Sequence, residues 1–260
     1  MIPIKTSSEI LKMEAAGKIA ALVLKKMIDA VDVGISTYDL DQLAFESMKN
    51  YGAQSACYRY KIGNKVFPAY TCISVNNEVV HGIGSKERIL KAGDVVSLDV
   101  SIIYEGYAAD NAYTVIIPPA TPALEHLVRS TQNALYLAIE QARPGKHVGD
   151  ISFAVQSYIE KQGLSVVRDF VGHGIGQAMH EEPQIPNYIK SSQYISKTPA
   201  LKEGMTLAIE PMVNIGGPAV YYAKDGWTVL TKDGSPSAHF ESTILITNNE
   251  AKILTSIDKS

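Results

Sequence analysis

A chain that repeats its own punctuation is constrained to build one unit twice, and this sequence does so. Gly34 is followed five residues on by Asp39, and the helical pattern after it stops at Gly52. Gly145 is followed five residues on by Asp150, with a stop at Gly163. Glycine just past a helix C-terminus is expected, because the left-handed conformation there suits it. Each half also carries His-Gly-Ile-Gly, at 81–84 and 173–176. A Lys-x-Gly turn then leads, six residues past its glycine, to an acid inside an apolar strand: Gly93 to Asp99, and Gly204 to Glu210. Four coincidences in one order predict a duplicated fold, a single domain over 1–260 with halves at about 1–118 and 119–260.

Within each half, helices come first and strands follow. Apolar spacing predicts helices at 8–32, 37–51, 122–142 and 149–162. Strands are expected at 70–76, 94–104, 107–117, 165–171, 205–213, 226–231 and 238–247. That order favours an α+β fold, with helices covering an antiparallel sheet. Pro118-Pro119 marks the seam and is too short to separate independent domains. The apolar run near Ile19 is interrupted by Lys18, Lys25 and Lys26, so it reads as an amphipathic helix rather than a targeting or membrane segment. A formal charge of -3 argues against nucleic acid as the partner, and two cysteines, Cys57 and Cys72, make no disulfide framework. The expectation is a cytoplasmic protein without membrane attachment, a monomer by default.

The carboxylates carry the chemistry. Asp99 lies within Val95-Val96-Ser97-Leu98-Asp99-Val100, where an ionised acid is costly unless paired or metal-bound. If Glu105-Gly106 is a two-residue hairpin loop, Tyr104 faces Tyr107 and Ser101 faces Asp110, which puts Asp99 and Asp110 on one face as diagonal neighbours. Glu210 and Glu241 repeat the oddity on later strands. Four such acids would repel one another, and a pair of divalent cations removes that penalty. His173, flanked by Gly172 and Gly174, is the imidazole to complete the set, the glycines leaving room for a ligand's approach. Surface or capping roles suit His126 and His147, and Glu181-Glu182 reads as solvated.

The order Asp99, Asp110, His173, Glu210, Glu241 resembles the ligand set of the type I methionine aminopeptidases. The phrases Gly172-His173-Gly174-Ile175-Gly176, His180-Glu181-Glu182-Pro183, Glu210-Pro211-Met212-Val213-Asn214 and Lys224-Asp225-Gly226-Trp227-Thr228 are similar too. The resemblance implies the pita-bread fold and removal of N-terminal methionine before a small second residue, by hydroxide attack between two divalent metals (Mn, Fe, Co or Zn). By resemblance Asp99 holds one metal, His173 and Glu210 the other, and Asp110 and Glu241 bridge. Glu210 would shuttle the proton, His180 would stabilise the tetrahedral intermediate, and His81 would contact the peptide. Cys57, Phe67, Cys72, Met179 and Trp227 would surround the methionine side chain. The implied partners are N-termini of nascent polypeptides, at the ribosome. Three departures stand out: Asn111 where a hydroxyl residue is usual, His239 where glutamine is common, and a longer segment at 59–70.

Overall fold

The computed structural model describes residues 2–257. Among these, four α-helices form: α1 (Ser7–Ala30), α2 (Thr37–Asn50), α3 (Pro122–Gln141) and α4 (Val148–Lys161). Helix α2 starts in a capping box between Ser36 and Asp39, and Asp150 accepts from the His147 backbone N–H at the start of α4. Both close identically. Gly52 (φ 71°) and Gly163 (φ 74°) follow the last turns, and the next residues donate back, Ala53 N–H to Met48 O and Leu164 N–H to Ile159 O.

The strands that matter for the site are β1 (Cys72–Val75), β2 (Val95–Tyr104), β3 (Tyr107–Ile116), β4 (Val171–Gly174), β5 (Glu181–Pro186), β6 (Thr206–Ile209) and β7 (Glu241–Leu245). They form one antiparallel sheet in the order β2-β3-β7-β6-β4-β5, with β1 also paired to β2. Alternation along the strands separates two faces. Val96, Leu98, Val100 and Ile102 pack in one core with α1 and α2, while Leu207, Ile209, Ile244 and Ile246 pack in another with α3 and α4. Ser97, Asp99 and Ser101 therefore point away from the helices.

The repeat reappears as matching bonds. Ser36 bridges Ile89 as His147 bridges Ala200, and Leu90 N–H reaches Ile35 O as Leu201 N–H reaches Lys146 O. The tetrapeptides do not take part in it. His173 pairs with Ala208 on β6, whereas the corresponding place beside Ser97 on β2 is held by Ser74. His81 lies beyond the strand Glu78–Val80, with φ 60°. The shared glycines answer a packing need instead. A Cβ on Gly82 would sit 2.2 Å from Ile73 O, and one on Gly174 would sit 2.1 Å from Glu182 O. They admit neighbouring backbone rather than a ligand, contrary to the expectation for Gly174.

Three expected strands are broken. The run 205–213 splits after Ile209, because Pro211 has no N–H for the ladder, and Met212–Asn214 joins a separate three-stranded sheet. The run 238–247 splits at Phe240 between Ser237–His239 and β7. The run 165–171 forms only Ser165–Val166 and the start of β4. Among the described residues, no helix is long and apolar enough to cross a membrane.

Candidate metal centre

The β2–β3 hairpin sets the geometry. Glu105 (φ 48°) and Gly106 (φ 80°) both take the left-handed conformation that a two-residue turn of type I′ requires. The register follows: Tyr104 faces Tyr107 and Ser101 faces Asp110. Asp99 then lies opposite Ala112, and Glu241 on β7 faces the same Ala112 from the other side. Asp110, two residues away on the same strand face, completes a ring of carboxylates around one buried methyl group. A side chain as small as alanine leaves the space between the three acids open.

The second half adds Glu210, where β6 ends, and His173 on β4. Ligand atoms of Asp110, His173 and Glu241 all lie within 4.8 Å of one another. His173 Nε2 is 3.5 Å from Glu210 Oε1. Its Nδ1 is 2.8 Å from the carbonyl of Gly174, which can only accept, so Nδ1 carries the hydrogen and Nε2 keeps its lone pair for a cation. Ser101 Oγ donates to Asp110 Oδ1 at 2.7 Å, Thr243 exchanges two bonds with the Asp110 backbone, and Asn187 Nδ2 donates to Glu210 O at 3.0 Å. Sequence reasoning missed all three supports; only Ser101, opposite Asp110 in the predicted hairpin, gave a signal.

The electrostatics are those of a site short of positive charge. Burial pushes the Asp99, Glu210 and Glu241 carboxyls well above the usual range, and neighbouring Asp110 adds to each shift. Asp110 is raised by burial, opposed by the Ser101 hydroxyl. His173 and His180 are lowered, chiefly by burial, and His81 falls to about 4 through burial and the nearby His180. Asp99 Oδ1 and Glu241 Oε1 are buried without a hydrogen-bond partner. Buried acceptor oxygens of this kind, beside an imidazole with a free lone pair, fit divalent cations.

These groups line a cavity of about 520 Å³. All twelve residues named from the sequence reach its wall: His81, His180, Glu210, Asp99, Asp110, His173, Glu241, Cys57, Phe67, Cys72, Met179 and Trp227. One side is a cluster of sulfur and aromatic groups, with Cys57, Phe67, Cys72 and Trp227 in contact. Phe67 meets Trp227 edge-on at 5.3 Å, and Asp225 holds the turn by accepting from Trp227 N–H and Thr228 N–H. The Cys72 thiol is pushed well up, first by its contact with Cys57 and then by burial, so it lines the wall as a neutral group. Tyr60, Phe170 and Asp169 also line the cavity and were not foreseen. Glu181 is not solvated as expected; Lys5 Nζ meets its Oε2 at 2.7 Å, with both side chains largely buried.

The family model for Metallopeptidase family M24 matches residues 11–248. The chain belongs to that family. Among M24 relatives, a methionine aminopeptidase of Aquifex aeolicus is 44% identical over 98% of this chain and 99% of its own. One from Escherichia coli K12 is 43% identical over 98% of this chain and 94% of its own. A crystal structure of methionine aminopeptidase from Thermotoga maritima superposes with a TM-score of 0.92 at 44% identity, covering 98% of this chain and 100% of that one. A prolidase of Pyrococcus horikoshii (TM-score 0.76, 24% identity, 63% of that chain covered) shares the fold.

Proposed function

We propose that this chain is a methionine aminopeptidase, which removes the N-terminal methionine from polypeptides whose second residue is small. The observation that carries this reading is the adjoining of two surfaces in one cavity, a ring of buried carboxylates with His173 and a sulfur–aromatic wall. A thioether side chain suits that wall, because sulfur and aromatic neighbours attract it and burial stabilises each methylene by about 0.8 kcal/mol.

Asp99, Asp110, His173, Glu210 and Glu241 would hold two divalent cations, with Asp110 and Glu241 as the carboxylates that would serve both. Mn, Fe, Co and Zn all suit this donor set. Bound there, the cations supply Lewis acidity toward the peptide carbonyl and toward water. Glu210 takes and returns the proton. His180 donates to the oxygen on which charge develops, and His81 holds the peptide beyond the scissile bond. The substrates are nascent chains in the cytoplasm near the ribosome, and the enzyme acts as a monomer.

The test is release of methionine from Met-Ala-Ser, with Ala-Pro as the competing substrate, before and after chelation and with each metal added back. Cleavage of Met-Ala-Ser that chelation stops and metal restores is the expected result. Cleavage of the proline peptide alone would assign the site to the other branch of the fold.

A further inference from the structure

The segment after Arg59 is a strap between the two halves. Lys61–Ile62 and Lys65–Val66 pair as a small hairpin, turned at Gly63 (φ 58°). Its base is locked, with Arg59 N–H donating to Phe67 O and Phe67 N–H to Tyr60 O. Its far side is tied to the second half of the chain, since Lys65 Nζ donates to Gly226 O at 3.1 Å and Phe67 packs on Trp227. Tyr60 stands at this locked base, and its Oη lies 3.0 Å from His180 Nδ1. The Tyr60 ring meets His180 edge-on at 5.5 Å, and on the other side His180 meets His173 edge-on at 4.4 Å. The imidazole is thus held between a phenol and a ligand histidine.

We propose that Tyr60 is a positioning residue, which donates its hydroxyl hydrogen to His180 Nδ1 and so holds the proton of the neutral ring on Nε2. The direction follows from acidity. A phenol is a far stronger acid than a neutral imidazole N–H, and the unprotonated imidazole nitrogen is the better acceptor. Only one ring nitrogen carries hydrogen in the neutral form, so fixing Nδ1 as acceptor makes Nε2 a donor. A donor is what the developing oxyanion needs, and the wrong tautomer would offer it a lone pair. The inference rests on the role given to His180 under the proposed function, but its first readout does not depend on turnover.

The experiment compares the zinc-loaded protein with its Tyr60→Phe variant, which keeps the ring and its packing. Nitrogen-15 NMR of labelled histidine reads the His180 tautomer directly. We expect the hydrogen on Nε2 in the parent and a mixture of tautomers in Tyr60→Phe. On Met-Ala-Ser, kcat should fall about tenfold, the scale of one hydrogen bond, with KM within about twofold. In a His180→Ala background, Tyr60→Phe should have no further effect. A parent with the hydrogen on Nδ1, an unchanged kcat in Tyr60→Phe, or a Tyr60→Phe effect that persists without His180 would overturn the proposal. Failure of the parent to release methionine at all would overturn the functional reading instead, and the NMR result would still decide the tautomer.

Discussion

His173 gives its Nδ1 hydrogen to the carbonyl of Gly174 at 2.8 Å, and its Nε2 consequently faces Glu210 Oε1 at 3.5 Å with the lone pair free. A histidine aimed in this way beside a carboxylate is arranged to ligate, because neither group donates to the other. The same reasoning covers Asp99 and Glu241, which face Ala112 from opposite sides and bring buried oxygens without protein donors.

Removing one charged ligand should therefore empty or misplace a cation. Asp99→Asn and Glu210→Gln are each expected to abolish methionine release and to lower the bound metal per chain. Metal analysis of the purified variants beside the peptide assay checks both. Full activity at saturating metal in either variant would contradict the two-metal arrangement.

His180→Ala should behave differently, because the proposed role of His180 is to donate to the oxyanion rather than to hold a cation. Its kcat is expected to fall by roughly 10²–10³ with metal content unchanged, the usual effect of losing one oxyanion donor. Loss of metal along with activity would make His180 a ligand.

The acid limb of stability should depend on His239. Burial, with the nearby His81, lowers its pKa from 6.5 to about 3. The folded value is below the unfolded one, so as pH falls from 6.5 toward 3 the unfolded chain takes up a proton that the folded chain refuses. Stability is lost across that window, by about 1.4 kcal/mol per pH unit for one group. His239→Gln should flatten the slope of urea-unfolding free energy against pH there, and an unchanged slope would refute the assignment.

Lys5 latches the N-terminal segment to Glu181, next in sequence to His180. The side chains are 5% and 15% exposed, so solvent screens the pair little. Lys5→Met leaves Glu181 only the weak bond from Ala178 N–H at 3.3 Å, and should cost about 3 kcal/mol. Adding Glu181→Leu should recover most of the loss. Denaturant unfolding of the single and double variants measures both, and equal losses would show that the pair contributes through packing alone.

Local chemistry was legible where neighbouring residues decide it. The helices followed from apolar spacing and capping residues, and the Asp99–Asp110 geometry from Glu105-Gly106, because a two-residue loop sets strand register. The breaks at Pro211 and Phe240 were less visible, since each run stays apolar while the chain passes between sheets. The repeated His-Gly-Ile-Gly misled for a related reason. Identical glycines met two different packing needs, against Ile73 in one place and Glu182 in the other.

By itself, then, the sequence determined the helical and hairpin units, the repeated spacing, and which acids would be stranded on apolar strands. Only the tertiary structure decided that Glu241 meets Asp99 across Ala112, that Lys5 reaches Glu181, and that the Tyr60 hydroxyl meets His180 Nδ1. Those partners are far apart in the chain. They meet because each half must bury its sheet under its own helices, and that burial turns the polar faces of both halves toward one cavity.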